Sequence, residues 1–376
     1  MTTRQQRRGV SLIDLVAVTA CVVMLVSIVL VATQSTREVA RRTFCASNLR
    51  QLGLGLLAHH DAKQSLPPSS GGPDSTCSWM TGSPPALKPH PGPGFGRASG
   101  FVMLLPFIDQ VAIYQAIEAA GWPAIDDPLY RSFRIGALLC PSDPASRQHS
   151  YLFSIGDRTA GLMPAGGPPA PVNGGFQAGL RGLFGLHSSV RLASVRDGLS
   201  STIAMSESVT PTGLGRVVPP TEVVDGVTYV LSGDEAVVNE RFAMAYGCAG
   251  SPAGVSVPLG CLASFDGARF REGAVLMPRN RGPGWAWADG RPSYISFATV
   301  LPPNGPRCGH FSAAGVLTAQ SRHIGGVMGL MADGAVRFVA DHIDSGDRQP
   351  AVTRCPRGSA PCRPRLSAEL WLQAAR

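Results

Sequence analysis

Arg7 to Thr33 reads RRGVSLIDLVAVTACVVMLVSIVLVAT, and this stretch decides where everything after it must reside. Arg4, Arg7 and Arg8 precede a Gly9-Val10 junction. About twenty apolar residues follow with Asp14 as their only formal charge, roughly the length a bilayer core demands. A cleavable secretory signal would place small residues after the apolar run, whereas this run leads into polar and strongly basic sequence. Any cleavage therefore lies ahead of it, and the segment is predicted to export and anchor the rest of the chain. An ionisable group inside such a span is costly and marks a functional position by default, which makes Asp14 a candidate site residue.

The apolar rhythm continues past Thr33. Phe44, Cys45, Leu49, Leu52 and Leu56 recur at helical intervals, interleaved with Arg41, Arg42, Arg50 and Gln51. The spacing predicts one helix over residues 10–61, roughly 75 Å long at 1.5 Å per residue. Residues 10–33 would lie in lipid as a transmembrane segment, and 34–61 would present one apolar face to a globular domain. Gly53 and Gly55 are where its continuity weakens.

Downstream, residues 62–344 read as an α+β domain. Leu66 to Gly100 is rich in proline, glycine and serine and carries no period, which predicts a long surface loop. Phe101 to Ala120 begins apolar, is broken at Pro106, and continues as a helix with Ile108, Val111, Ile113, Tyr114 and Ile117 placed to pack. Ala137 to Asp143, ALLCPSD, reads as a buried strand ending in a turn, and Asp197-Gly198 as a loop before another strand. Asp-Gly pairs recur at Asp225, Asp266, Asp289 and Asp333. Two of them sit between apolar flanks, EVVDGVTYV and GLMADGAVRFV, and read as hairpins. Phe184 to Asp341 is thus antiparallel β structure with long irregular insertions. No period of twenty to fifty residues points to a solenoid or propeller. The tail, 345–376, closes with SAELWLQAAR, a short helix candidate.

Composition narrows the compartment and the partners. The formal net charge of +8 falls to +5 once Arg4, Arg7 and Arg8 are removed with residues 1–9. Lysine occurs only at Lys63 and Lys88, and arginine never runs longer than two, so the charge reads as a solvated surface rather than a nucleic-acid patch. Of nine cysteines, Cys21 lies in the apolar span and eight are exported into an oxidising compartment. Pairs such as Cys248 with Cys261, or Cys355 with Cys362, could close loops there; connectivity is not readable from spacing. The absence of any C-x-x-C argues against a zinc knuckle or a thioredoxin-type motif.

Arg8-Gly9-Val10-Ser11-Leu12-Ile13-Asp14 resembles the processing site of type IV prepilins, in which a basic leader ends in glycine and an aromatic-Thr-Leu-x-Glu sequence opens the mature protein. Val10 stands for the usual phenylalanine and Asp14 for the glutamate. Ser321-Arg322-His323-Ile324-Gly325-Gly326-Val327 leads into MGLMADGAVRFVADHID, with nine residues between His323 and Asp333-Gly334. Together with FCASNLRQLGLGLLAHHDAKQSLPP, FVMLLPFIDQVAIYQAI, LLCPSD, LASVRDGLSSTIAMSES and PPNGPRCG, this resembles the prepilin-like family of domain of unknown function 1559. Ser206-Glu207-Ser208 stands where a Gly-Glu is common, and Ala335 replaces a serine. The resemblance implies a pilin-like (type II pseudopilin-like) fold, removal of residues 1–9 by a prepilin peptidase, methylation at Val10, and Asp14 pairing with the amine of a neighbouring pilin-like subunit.

The remaining candidate chemistry is modest. His323, Gly325, Gly326, Asp333 and Gly334 form the C-terminal signature, which turn chemistry accounts for as a structural element. On the predicted hairpin His323 falls near the open end, where Asp341, His342 and Asp344 would supply ligands for a divalent ion. Trp285 and Trp287 alternate onto one side of a glycine-rich loop near Tyr294 and could stack on a sugar if exposed; burial is the commoner fate of such rings. There is no G-x-S-x-G, H-E-x-x-H or phosphate-loop ending, so no enzyme and no cofactor is predicted. The expectation is a single-pass protein of the inner (cytoplasmic) membrane with its N-terminus cytoplasmic, reaching the cell surface on assembly. It would contact lipid, the peptidase and other subunits in a pilus-like or type II secretion-like structure. The alternative is an anchored binding module for polysaccharide or DNA that never polymerises.

Overall fold

The computed structural model describes residues 12–71, 97–157, 182–185, 189–211, 221–224, 227–230, 242, 244–246, 258–267, 269–271, 276, 282–309 and 315–343. The leader, the tail from 344, Cys77, Cys248, Cys355 and Cys362 lie outside them. Helix α1 (Leu12–Lys63) is unbroken for 52 residues, about 78 Å. Every described side chain from 12 to 30 is exposed, and burial begins at Cys45. Cys45, Leu49, Leu52 and Leu56 are buried at intervals of four, three and four, as the pattern predicts, while Phe44 points outward, 56% exposed. Among the described residues no helix is long and apolar enough to cross a membrane. The side chains at 14, 31, 32 and 35 lie outside the described residues.

Gly53 and Gly55 do not weaken the helix. A Cβ at Gly55 would lie 2.5 Å from Ile108 Cγ2 and 3.3 Å from the Phe107 carbonyl oxygen, and one at Gly53 would lie 2.8 Å from Leu330 Cδ1. The two glycines let the backbone of α1 approach the head closely.

The strands are β1 (Tyr151–Ser154), β2 (Ile203–Glu207), β3 (Thr221–Val224), β4 (Val227–Val230), β5 (Met244–Tyr246), β6 (Ser296–Phe297), β7 (Arg307–Gly309), β8 (Gly315–Val316), β9 (Gly326–Met331) and β10 (Val336–Ala340). The main sheet has the order β10-β9-β2-β1-β6 and is antiparallel except where β6 joins β1. Alternation along β1 and β9 feeds two apolar layers, and a register shift between Ile203 and Met205 sends those two residues of β2 to opposite layers. Tyr151, Phe153, Met205 and Leu330 pack with Leu49, Leu52 and Leu56 of α1. Leu152, Ile203, Val327, Met331 and Val339 pack on the opposite face with Phe297, Ala319 and Ile343. Two smaller sheets, β3-β4 and β5-β7-β8, complete a mixed α and β architecture rich in antiparallel pairing.

Both hairpins expected from Asp-Gly pairs are present. In the second, Gly334 has φ +87° and the Asp333 carboxylate accepts the Ala335 N–H at 2.9 Å, closing the turn between β9 and β10. The turn at Asp225 lies outside the described residues, but β3 and β4 pair antiparallel around it. Three expectations need correcting. ALLCPSD is not a strand: Gly136–Leu138 is a single 3-10 turn, because Leu138 and Leu139 donate locally to Ile135 and Gly136 instead of to a neighbouring strand. Val111 is 50% exposed and does not pack, whereas Ile108 and Ile117 do. Cys261 pairs with Cys308, not Cys248: the helix Pro258–Ala263 lies against β7 with their Cα atoms 5.7 Å apart. A second disulfide joins Cys45 of α1 to Cys140, 95 residues on.

Candidate functional site at the junction of helix and head

Glu38 and Cys45 are seven residues apart on α1 and so share the face that carries Leu49, Leu52 and Leu56. Where that face meets the head, four segments converge. Cys140 follows the 3-10 turn, its N–H donating to Ser150 Oγ at 3.1 Å. Glu207 ends β2, and His323 precedes β9, its own N–H held by Ser321 Oγ at 3.1 Å. The imidazole turns inward. Nδ1 lies 2.7 Å from Glu38 Oε1 and Nε2 lies 3.2 Å from Glu207 Oε1. The disulfide sulfur of Cys140 is 3.9 Å from Glu207 Oε1 and 4.0 Å from His323 Nε2. Glu207 and His323 are 1% and 2% exposed. One ligand-type atom from each of Cys45, Cys140, Glu207 and His323 lies within 4.8 Å of the other three.

The electrostatics follow from the two carboxylates. Burial by itself lowers the pKa of His323, but the hydrogen bonds and charges of Glu207 and Glu38 outweigh it and raise the pKa above the ordinary value. Protonated, the ring donates to both carboxylates at once. Glu207 Oε2 also accepts the Met328 N–H at 2.9 Å, and Arg42 Nε stands 3.5 Å from Glu38 Oε1. Arg42 further donates to the Ile324 carbonyl at 2.6 Å, a second tie between α1 and the signature loop. Tyr151, whose hydroxyl donates to the Cys45 carbonyl, has its pKa pushed up by burial and by the Glu207 charge.

His323 is therefore not part of a set with Asp341 and His342. Both its ring nitrogens face Glu38 and Glu207, while His342 is 87% exposed beside Asp341 at 3.8 Å. Asp344, Gly9 and Val10 lie outside the described residues, as does the side chain of Asp14. The signature glycines have backbone reasons. Gly325 sits at φ +85° and its carbonyl accepts the Asp341 N–H, and a Cβ on Gly326 would meet the Val339 carbonyl at 2.1 Å. Cys45, Cys140, Glu207 and His323 lie in four separate stretches of the chain. Each of those stretches contains a metal-ligand or acid-base residue type; Glu38 is of the same type but stands outside every motif.

A second feature is a cleft of about 190 Å³ lined by Asp126, Tyr130, Arg131, Trp285, Arg291 and Tyr294 among others. The two tryptophans separate here. Trp287 is fully buried and donates from Nε1 to the Tyr130 carbonyl at 2.9 Å, whereas Trp285 is half-buried with the Arg147 guanidinium 4.8 Å from its ring. Asp289, expected in a turn, is 1% exposed between Arg97 and Arg291, which hold its carboxyl below the usual range against the opposing effect of burial.

No curated protein and no solved structure matches the chain. A family model described as a protein of unknown function, DUF1559, matches residues 34–346, a span that includes Glu38 and the four residues of the buried cluster. The chain thus belongs to the DUF1559 family.

Proposed function

We propose that this protein is a membrane-anchored, pseudopilin-like structural subunit. It would be cut between Gly9 and Val10 by a prepilin peptidase, methylated on the new amine, and assembled with other pilin-like subunits through its apolar helix. The observation that carries the reading is the division of α1, whose first part exposes Leu15, Val16, Val22, Leu25, Ile28 and Leu30 to no protein partner while its second part is docked along the head. A surface of that kind needs lipid or another helix to cover it. Thr19, Ser27 and Thr33 donate their hydroxyls to carbonyls three residues back, at 2.9, 2.7 and 2.9 Å, so none needs water.

On this reading the anchor is the whole run Val10–Thr33 and the head lies outside the cytoplasmic membrane. Asp14 aligns subunits, and the role is structural rather than catalytic. Mass spectrometry of the native protein is expected to find N-methyl-Val10 as the first residue. Asp14→Ala is expected to leave membrane insertion intact and to abolish helix-to-helix crosslinks in cells. An intact Met1, or crosslinks indifferent to Asp14, would remove the reading.

The cleft beside Trp285 favours a second reading, an anchored module that binds a saccharide and does not polymerise. It predicts no crosslink ladder in wild type and a saccharide affinity lost in Trp285→Ala. For DNA the dispersed arginines supply no comparable surface.

A further inference from the structure

We propose that Cys45, Cys140, Glu207 and His323 form a thiol-dependent binding site for a zinc-type divalent cation, available when the Cys45–Cys140 disulfide is open. The proposal is independent of whether the chain polymerises.

The geometry supports it in three ways. First, a tetrahedral ion with bonds of roughly 2.0–2.3 Å to nitrogen, oxygen and sulfur has ligand-to-ligand edges of roughly 3.3–3.8 Å. The observed edges from His323 Nε2 to Glu207 Oε1, and from Cys140 Sγ to each of them, are 3.2, 3.9 and 4.0 Å. Cys140, Glu207 and His323 thus stand close to three corners of such a site. Cys45 Sγ, bonded to Cys140 and within 4.8 Å of the other two ligand atoms, must separate from Cys140 Sγ and close on the ion when the disulfide opens.

Second, the outer partners are those a metal ligand needs. His323 turns Nε2 to the cluster and Nδ1 to the Glu38 carboxylate at 2.7 Å, which fixes the ring and selects the tautomer that leaves Nε2 free to coordinate. The second oxygen of Glu207 is held by the Met328 N–H at 2.9 Å, leaving Oε1 directed at the sulfurs.

Third, all four residues are buried, and one ligand-type atom of each lies within 4.8 Å of the other three. With the disulfide open, the two sulfurs become thiolate ligands for the divalent ion. The exchange balances. A dithiol reductant breaks the Cys45–Cys140 bond, supplies two electrons and two protons, and becomes a disulfide. Binding one divalent ion then releases the proton of each thiol. Because both sulfurs are buried, at 0% and 6% residue exposure, the loaded form is reached when the exported chain folds before oxidation.

The test uses the full chain in detergent, reduced by a phosphine during refolding and titrated with cobalt(II) in place of zinc. Reduced wild type is expected to take up one equivalent more than the reduced Cys45→Ser/Cys140→Ser double variant. That equivalent should show the visible bands of tetrahedral cobalt and thiolate charge-transfer absorption, and the disulfide-closed protein should lack it. Because the double variant could misfold, Glu207→Gln provides the second arm: it keeps both thiols and the shape of the side chain, and cobalt affinity should fall at least about tenfold. Equal uptake by the reduced wild type and the double variant, an octahedral spectrum, or an affinity unchanged in Glu207→Gln would each overturn the site.

Discussion

His323 is the one imidazole in the described head with a carboxylate at each nitrogen, Glu38 on α1 and Glu207 on β2, with Arg42 standing beside Glu38. Its pKa is raised in the folded protein above the ordinary 6.5, so the folded state holds the proton more tightly than the unfolded chain. The stabilisation is therefore complete below the unfolded value and is lost as pH rises through the raised folded one. In the disulfide-closed protein, His323→Gln should cost on the order of 3–5 kcal/mol at about pH 5.5, the range for breaking a buried ion pair. The difference from wild type should shrink steadily as pH is raised, read by urea denaturation at each pH. A difference independent of pH would mean that the ring is neutral in the fold. The signature around His323 was legible in the chain, yet its partners were not. Glu207 lies 116 residues upstream and Glu38 a further 169, and a spacing rule covers one helix or one hairpin, not three meeting elements.

Among the elements, α1 was the most legible, because a period of 3.6 persists over many turns and each buried leucine repeats the evidence. Its glycines were misread for a reason internal to propensity: in isolation glycine weakens a helix by about 1 kcal/mol relative to alanine. Against the head the same residue admits a close approach. Gly55→Ala should destabilise the protein by about 1–3 kcal/mol, since the new Cβ meets Ile108 and the Phe107 carbonyl oxygen. Gly53→Ala should be near neutral, because its obstacle is the movable end of Leu330. Thermal melts of the two variants side by side decide this; a Gly55→Ala protein more stable than wild type would restore propensity as the governing term. ALLCPSD failed differently. An apolar run of four residues carries no period to separate a strand from a turn, and the docking of Cys140 on α1 settles the backbone.

For the molecule as a whole, the described side chains from 12 to 30 touch no part of the head, and the core begins at Cys45. Removing residues 1–33 should therefore leave the melting temperature of the disulfide-closed head within about 2 °C of the full chain, less than the shift expected from 1 kcal/mol in a domain of this size. A larger loss would mean that the N-terminal half of α1 packs on the head. The expectation of an exported, anchored chain is carried by local chemistry: an apolar run with one acid, an arginine-rich leader, and a helical period that continues beyond the run. The hairpins were equally local, since an Asp-Gly turn is specified by its own two residues. The sheet order, the pairing of Cys45 with Cys140 and of Cys261 with Cys308, and the burial of Trp287 were decided only in three dimensions. So was the meeting of Glu38, Glu207 and His323. Each depends on which distant segments the core brings together, and that is settled by the shape of the packed layers rather than by any interval along the chain.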